Sequence, residues 1–327
     1  MGLPLWIHAL LAGSTALVAS CALFGWGRRR ASALSAYGAA RTAANRSPPG
    51  IEAPATIAFL GDVQKGIRVV ARPVVEALAR ENAKFLVSSG DLASHGEAPY
   101  HGIVGRAFDR AGLSIPFLVA AGNHDVQPTR MRDPEPGRRL FESLWGPRTW
   151  VASVGRLAIL ACDNGGASLD DEQLDWIERE LALRPDSPWM LVVHRSPRHP
   201  LVEGHPVEAG MDRLMALFRR RPPECVVSGH LERDADLVID GVRYVVNAHG
   251  GDVSGDLWRG PKTFRLLLAD VNAQGRVSLR GIELRRRQDR SVALDQLAVR
   301  LWSDSRRGIG RLLGRVGDTL VRPFVRR

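Results

Sequence analysis

From residue 56 onward, short apolar runs alternate with amphipathic stretches. Thr56–Leu60, Phe85–Ser89, Pro116–Ala120, Leu157–Cys162, Trp189–Val193 and Cys225–Ser228 are near-continuous apolar segments of four to six residues, the pattern of strands buried on both faces. Between several of them lie helical patterns such as Val69–Arg80 and Asp171–Leu183, the latter with Leu174, Ile177 and Leu181 on one face. Strand and helix in alternation predict a layered α/β domain. Leu237–Ile239, Arg243–Asn247, Phe264–Asp270 and Arg276–Arg285 then follow as strands with little room for helices, which predicts a second, more antiparallel sheet. The expected body, residues 51–285, is a two-sheet sandwich flanked by helices.

The flanks differ from this body. Leu3–Gly27 contains no Lys, Arg, Asp or Glu, and a helix of that length can cross a hydrocarbon core of about 30 Å. Residues 1–27 therefore read as a transmembrane anchor. Arg28, Arg29 and Arg30 follow the run, whereas a cleaved leader carries its cations before a shorter core. The positive-inside bias then gives a single-pass inner-membrane protein with a cytoplasmic body. Val18-Ala19-Ser20-Cys21 resembles a lipoprotein cleavage site and supports the alternative, a periplasmic body. Residues 28–50, rich in Ala, Ser and Arg and ending in Ser47-Pro48-Pro49-Gly50, read as a basic linker. In the 286–327 tail, Ile309, Leu312, Leu313, Val316 and Leu320 share one helical face and Arg306, Arg307, Arg311 and Arg315 crowd the rest. Such a basic amphipathic helix reads as membrane-surface, or as packed on the body with its arginines solvated.

The net charge of +10 raises a nucleic-acid reading until it is located. Arg28–Arg46 holds five arginines and no acid, and Arg285–Arg327 holds twelve arginines against four aspartates. The remaining body is weakly acidic, so no nucleic-acid partner is expected. Cys21, Cys162 and Cys225 form no metal-ligand spacing or disulfide framework. No P-loop, GxGxxG after a strand or GxSxG occurs, which argues against nucleotide-fold dehydrogenases, P-loop kinases and serine esterases.

Chemistry gathers where the strands end. The first run leads into Gly61-Asp62-Val63-Gln64, the second into Gly90-Asp91, and the third into Gly122-Asn123-His124-Asp125. Trp189–Val193 leads into His194, and Cys225–Ser228 into Gly229-His230-Leu231-Glu232. Ligands of open α/β sheets collect outside the carboxyl ends of the strands, so these side chains should meet in one crevice.

In order, these blocks resemble the five-block signature of the calcineurin-like metallophosphoesterases, D-x-H, G-D, G-N-H-D/E, H and G-H-x-H, across roughly Ile57 to Gly251. Gly122-Asn123-His124-Asp125 is the most specific block. Asp163 followed by Leu169–Trp176 looks like the helix start of the purple-acid-phosphatase and cyclic-nucleotide-phosphodiesterase branches. The resemblance implies a four-layer α/β/β/α sandwich and two divalent metal ions. It implies that Asp91 bridges them, that Asn123, His194 and His230 complete one site, and that Asp62, with the positions of Gln64 and Glu232, completes the other. His124 would protonate the leaving group or stabilise the transition state, with Asp125 holding its ring. Two adjacent cations both neutralise the phosphate and turn bridging water into hydroxide near neutral pH. Imidazole is the side-chain type suited to general acid work in that range.

Two positions depart from the signature: Gln64 and Glu232 stand where histidines are usual. A site of Asp62, Gln64, Asp91 and Glu232 is all oxygen and favours manganese or magnesium, with iron or zinc at the other. His249 is a candidate substitute ligand or a turn residue. Arg195, Arg198 and His199 follow His194 and could meet phosphate oxygens. The expected activity is hydrolysis of a phosphate mono- or diester, lipid-linked or soluble. The alternative is a membrane sensor or scaffold that binds metal or phosphate without turnover.

Overall fold

The computed structural model describes residues 5–128, 133–198, 209–248 and 263–303, with side chains from Ser20 onward. Its smaller sheet is built on β2 (Ala55–Leu60), β3 (Leu86–Ser88) and β4 (Phe117–Val119), and is extended by β11 (Thr263–Val271) and β12 (Val277–Arg285) in the order β12-β11-β2-β3-β4. β2, β3 and β4 are parallel, and β11 is antiparallel to both its neighbours. The larger sheet contains β1 (Gly50–Ile51), β5 (Trp150–Val154), β6 (Leu157–Ala161), β7 (Trp189–Val192), β8 (Val226–Ser228), β9 (Ala235–Ile239) and β10 (Val242–Val246), ordered β1-β5-β6-β7-β8-β10-β9. Its centre, β6-β7-β8-β10, is parallel.

Strand periodicity explains the layers. Ile57 and Phe59 of β2 face Ile159, Met190, Val192 and Val227 across the space between the sheets. Ala58 and Leu60 point to the opposite side, onto α2 (Ile67–Arg80) and α3 (Ala98–Ala111). Leu160, Leu191 and Tyr244 of the larger sheet meet α6 (Asp171–Ala182) and α7 (Met211–Arg220) in the same way. Successive side chains thus reach two different cores, which is why these strands read as unbroken apolar runs. The four-layer α/β/β/α expectation holds.

Three expectations about the periphery do not. The late strands do not form a sheet of their own: β9 and β10 join the larger sheet, while β11 and β12 extend the smaller one. Leu266 and Leu268 face the helices and Leu267 and Ala269 face the inter-sheet core, so β11 needs cover on both sides and finds it beside β2. Residues 28–50 are not a free linker. α1 (Leu5–Tyr37) runs through Arg28–Arg30, and Ala31, Leu34 and Ala40 are buried. The closeness comes from α3: a Cβ on Gly102 would lie 1.9 Å from the Leu34 carbonyl oxygen. Beyond α1, Asn45 exchanges two hydrogen bonds with the Val119 backbone, at 2.7 and 2.8 Å. Finally, the boundary at residue 285 is too early. Residues 290–303 form a helix, here α8, that buries Val292, Ala298 and Val299. Its buried Asp295 pairs with Arg30 of α1 and lies 3.7 and 3.6 Å from Arg106 and Arg110 of α3.

Among the described residues no helix is long and apolar enough to cross a membrane. Most side chains of Leu3–Gly27, and the helical pattern from Ile309 to Leu320, lie outside the described residues.

Candidate metal centre

α4 (Asn123–Val126) is a single helical turn following β4. With the ends of β2, β3, β7 and β8, it brings together the side chains singled out in the sequence. Asp91, His194 and His230 each offer a ligand atom within 4.8 Å of the others. His194 Nε2 lies 3.3 Å from Asp91 Oδ1 and 3.1 Å from Asn123 Oδ1. Its Nδ1 donates to the Ser89 carbonyl at 3.0 Å, so in the neutral ring the Nε2 lone pair faces the cluster. His230 Nε2 accepts from Arg195 Nη1 at 2.8 Å, which likewise marks that nitrogen as unprotonated.

The oxygen-rich half also assembles. The Asp62 carboxylate is buried and accepts from the His230 backbone N–H at 2.9 Å. Gln64 Nε2 donates to Glu232 Oε1 at 2.9 Å, so the two departures from the signature are neighbours in space. Asp62, Gln64, Asp91, His230 and Glu232 all have positive φ, between 41° and 72°. Non-glycine residues rarely adopt that region. Five such residues at one site are strain held in place by the surrounding fold, as functional sites often show.

Electrostatics point to a bound cation. Burial holds the Asp62 carboxyl well above the carboxylate range, and Asp91 and Glu232 push it further, against His194. Burial disfavours the charged form of His194 too, yet the facing Asp91 and Asp62 outweigh it and raise the imidazole to about 9. Converging buried carboxylates need compensating positive charge. The donor set of carboxylates, amides and imidazoles fits divalent metal ions.

The leaving-group side differs from expectation. His124 Nδ1 donates to the Ser94 carbonyl at 3.0 Å, and Nε2 sits 4.0 Å from Asp91 Oδ2. Asp125 does not hold this ring. Its carboxylate accepts from Ala93 N at 2.8 Å and from Gly122 N, the N-cap amide of α4, at 3.0 Å, which ties the turn to the segment after β3. Burial first, then the Asp91 charge, raise the Asp125 carboxyl to about 7.

Residues 55–233 match the family described as calcineurin-like phosphoesterase. The chain belongs to that family. It is 30% identical over 187 residues, 52% of this chain, to the 3',5'-cyclic adenosine monophosphate phosphodiesterase CpdA of Escherichia coli strain K12. The same identity holds for CpdA of E. coli O157:H7. The match spans 62% of the length of these curated relatives. Purple acid phosphatase PPD1 of yellow lupin (Lupinus luteus) shares the fold at a TM-score of 0.50 and 16% identity, over 76% of this chain and 57% of that one.

Within this phosphoesterase the two arginines part company. Arg195 is locked by Asn164, which accepts from its backbone N–H at 2.8 Å and donates to its carbonyl at 2.7 Å. Its guanidinium reaches His230 and, through Nε, the Gly165 carbonyl at 3.2 Å. Arg198 instead pairs with Asp240 on the surface, away from the role expected of it. His199 and His249 lie outside the described residues. Asp163 is structural: it accepts from Arg148 Nη1 at 2.6 Å and Gly165 N at 2.9 Å. The helix start after it is a capping box between Asp170 and Gln173.

Sequence reasoning missed Asn164 and Asn247. Asn247 Nδ2 donates to the Phe59 carbonyl at 2.8 Å while its own N–H bonds Ser228 O at 2.8 Å. It thereby ties the two sheets together beneath the metal centre. Both asparagines follow strands, β6 and β10, the same signal that exposed the clustered side chains.

Proposed function

We propose that this phosphoesterase hydrolyses a phosphodiester at a two-metal centre. Asp91 would serve both ions, Asn123, His194 and His230 would hold one, and Asp62, Gln64 and Glu232 would hold the other. The carrying observation is the meeting of Asp91, His194 and His230, whose ligand atoms lie within 4.8 Å of one another, beside the buried Asp62 carboxylate. The metals supply charge neutralisation of the phosphate and activation of water. The protein's part is orientation. Ser89 and the His230 backbone fix the first ligands, and Asn164 aims Arg195 at the cluster, where its guanidinium is suited to a non-bridging phosphate oxygen. With Nδ1 donating to Ser94 O, Nε2 is the nitrogen of His124 that faces Asp91, and in the imidazolium form it would carry the leaving-group proton.

The cyclic-nucleotide diester hydrolysed by the curated relatives is the first substrate class to test, with lipid-linked diesters second. The full chain with manganese should turn over a diester panel. No turnover above an Asp91→Asn, Asn123→Ala double variant on diesters, monoesters and pyrophosphates would leave the non-catalytic sensor reading in its place. Replacing His124 with Ala should lower kcat by about a hundredfold for alkoxide leaving groups, and far less for p-nitrophenolate, which needs no proton.

We also propose membrane association through α1. Leu23 and Phe24 are exposed on it, 54% and 37%, and Arg28–Arg30 follow directly, which supports a body on the cytoplasmic side. Carbonate-resistant fractionation and a C-terminal reporter active only outside the membrane test attachment and sidedness. Soluble chain overturns the first, and reporter activity overturns the second.

A further inference from the structure

α4 carries both Asn123 and His124, yet it is four residues long, too short to hold its own shape. Its position is imposed from outside. The Asp91 carboxylate accepts from His124 N at 2.9 Å at one end, and the Asp125 carboxylate ties the turn to Ala93. At the other end the Asp125 carbonyl, one of the orphan acceptors of a helix terminus, bonds a residue that nothing above employs: His101 of α3. His101 Nε2 lies 3.0 Å from Asp125 O, and the ring is buried.

The tautomer follows from the neighbours. Trp145, at the end of α5 (Glu135–Leu144), points its indole Nε1 at His101 Nδ1, 3.1 Å away. Indole can only donate, so Nδ1 accepts, and the proton of the neutral ring sits on Nε2, where a carbonyl can only accept it. Both ring nitrogens are satisfied in one orientation alone. Burial keeps the ring neutral, lowering it to about 4 against the pull of the Asp125 carbonyl. The turn also has no slack behind it: a Cβ on Gly137 of α5 would lie 1.8 Å from Val126 O.

We propose that His101, oriented by Trp145, is a positioning residue that sets the height of α4 and so places Asn123 at the metal centre and His124 at the leaving group. The inference rests on the proposed roles of those two residues. Without the His101 bond the Asp125 carbonyl is left buried and unpaired, and the turn shifts to find another donor.

The test uses four variants of the full chain. His101→Leu should remain folded by circular dichroism, lower kcat by about thirtyfold with KM within about twofold, and weaken manganese binding by about tenfold in calorimetry without substrate, the scale of small misplacements and lost supporting bonds. His101→Gln keeps an N–H for the carbonyl and should recover kcat to within about fivefold of the native chain. Trp145→Phe, which frees the tautomer, should fall between them. Phe108→Leu, a buried change on the same helix, controls for stability: matched to His101→Leu in lost Tm, it should keep near-native kcat and metal affinity. Equal losses for Phe108→Leu, no rescue by His101→Gln, or unchanged metal affinity in His101→Leu overturns the proposal. If the native chain hydrolyses no phosphoester, the calorimetric comparison still decides the placement of Asn123, independently of the enzymatic reading.

Discussion

The two halves of the metal centre are built differently. In the imidazole half, His194 is wholly buried, its far nitrogen held by the Ser89 carbonyl, and Asn123 sits on a turn clamped by Asp91 and Asp125. Apart from His230, whose Nε2 accepts from Arg195, that half is ordered through backbone groups. In the oxygen half, Gln64 and Glu232 hold each other side chain to side chain, both on left-handed backbone. A half fixed by backbone keeps its geometry whichever ion arrives. A half fixed by two flexible side chains can adapt to the ion, so that half should govern metal choice.

The largest test removes what the halves share. Asp91→Asn should lower kcat/KM by about a thousandfold, the several kcal/mol of a Lewis-acid pair at about 1.4 kcal/mol per decade. A loss under tenfold breaks the shared-ligand reading. Next, His230→Ala should weaken metal binding by about a hundredfold, while Glu232→Ala costs about tenfold, since a water can replace a solvent-exposed carboxylate. Equal losses in calorimetry would erase the contrast. Restoring the family residues with Gln64→His and Glu232→His should move the preferred ion from manganese or magnesium toward zinc by about tenfold in competition binding. An unchanged preference would place selectivity elsewhere.

The smallest effect concerns pH. Against its burial, facing carboxylates raise His194 from 6.5 to about 9. With the folded value above the unfolded one, this contribution to stability is fully present below pH 6.5 and is lost as pH rises through about 9. Chelator-treated protein should therefore lose Tm across that window. Manganese should flatten the loss, because the ion takes the place of the proton on Nε2. A Tm rising with pH in the metal-free protein would contradict the assigned electrostatics.

Strand periodicity and strand-end chemistry could be read from the chain because both are local. Thr56–Leu60 and Ala55–Leu60, or Asp171–Leu183 and Asp171–Ala182, differ by a residue at their ends. Asp62, Asp91, Asn123, His194 and His230 were all visible as polar residues closing apolar runs. The packing of residues 28–50 is not legible in the chain because low hydrophobicity does not mean lack of burial. Ala40 buries little area but allows close approach, and the glycine that meets it, Gly105, lies on a helix far away in sequence.

The sequence by itself thus determined the layered fold, the polar residues that close its strands and the family, since each depends on side-chain type at fixed spacing. Only the tertiary structure decided that Gln64 meets Glu232, that Asp125 caps α4 instead of holding His124, and that Arg198 turns to Asp240 while Arg195 reaches His230. It alone showed His101 and Trp145 beneath the turn. The physical reason is direction: a carboxylate, amide or imidazole has several partners within reach, and which one it bonds depends on backbone groups that come from distant parts of the chain.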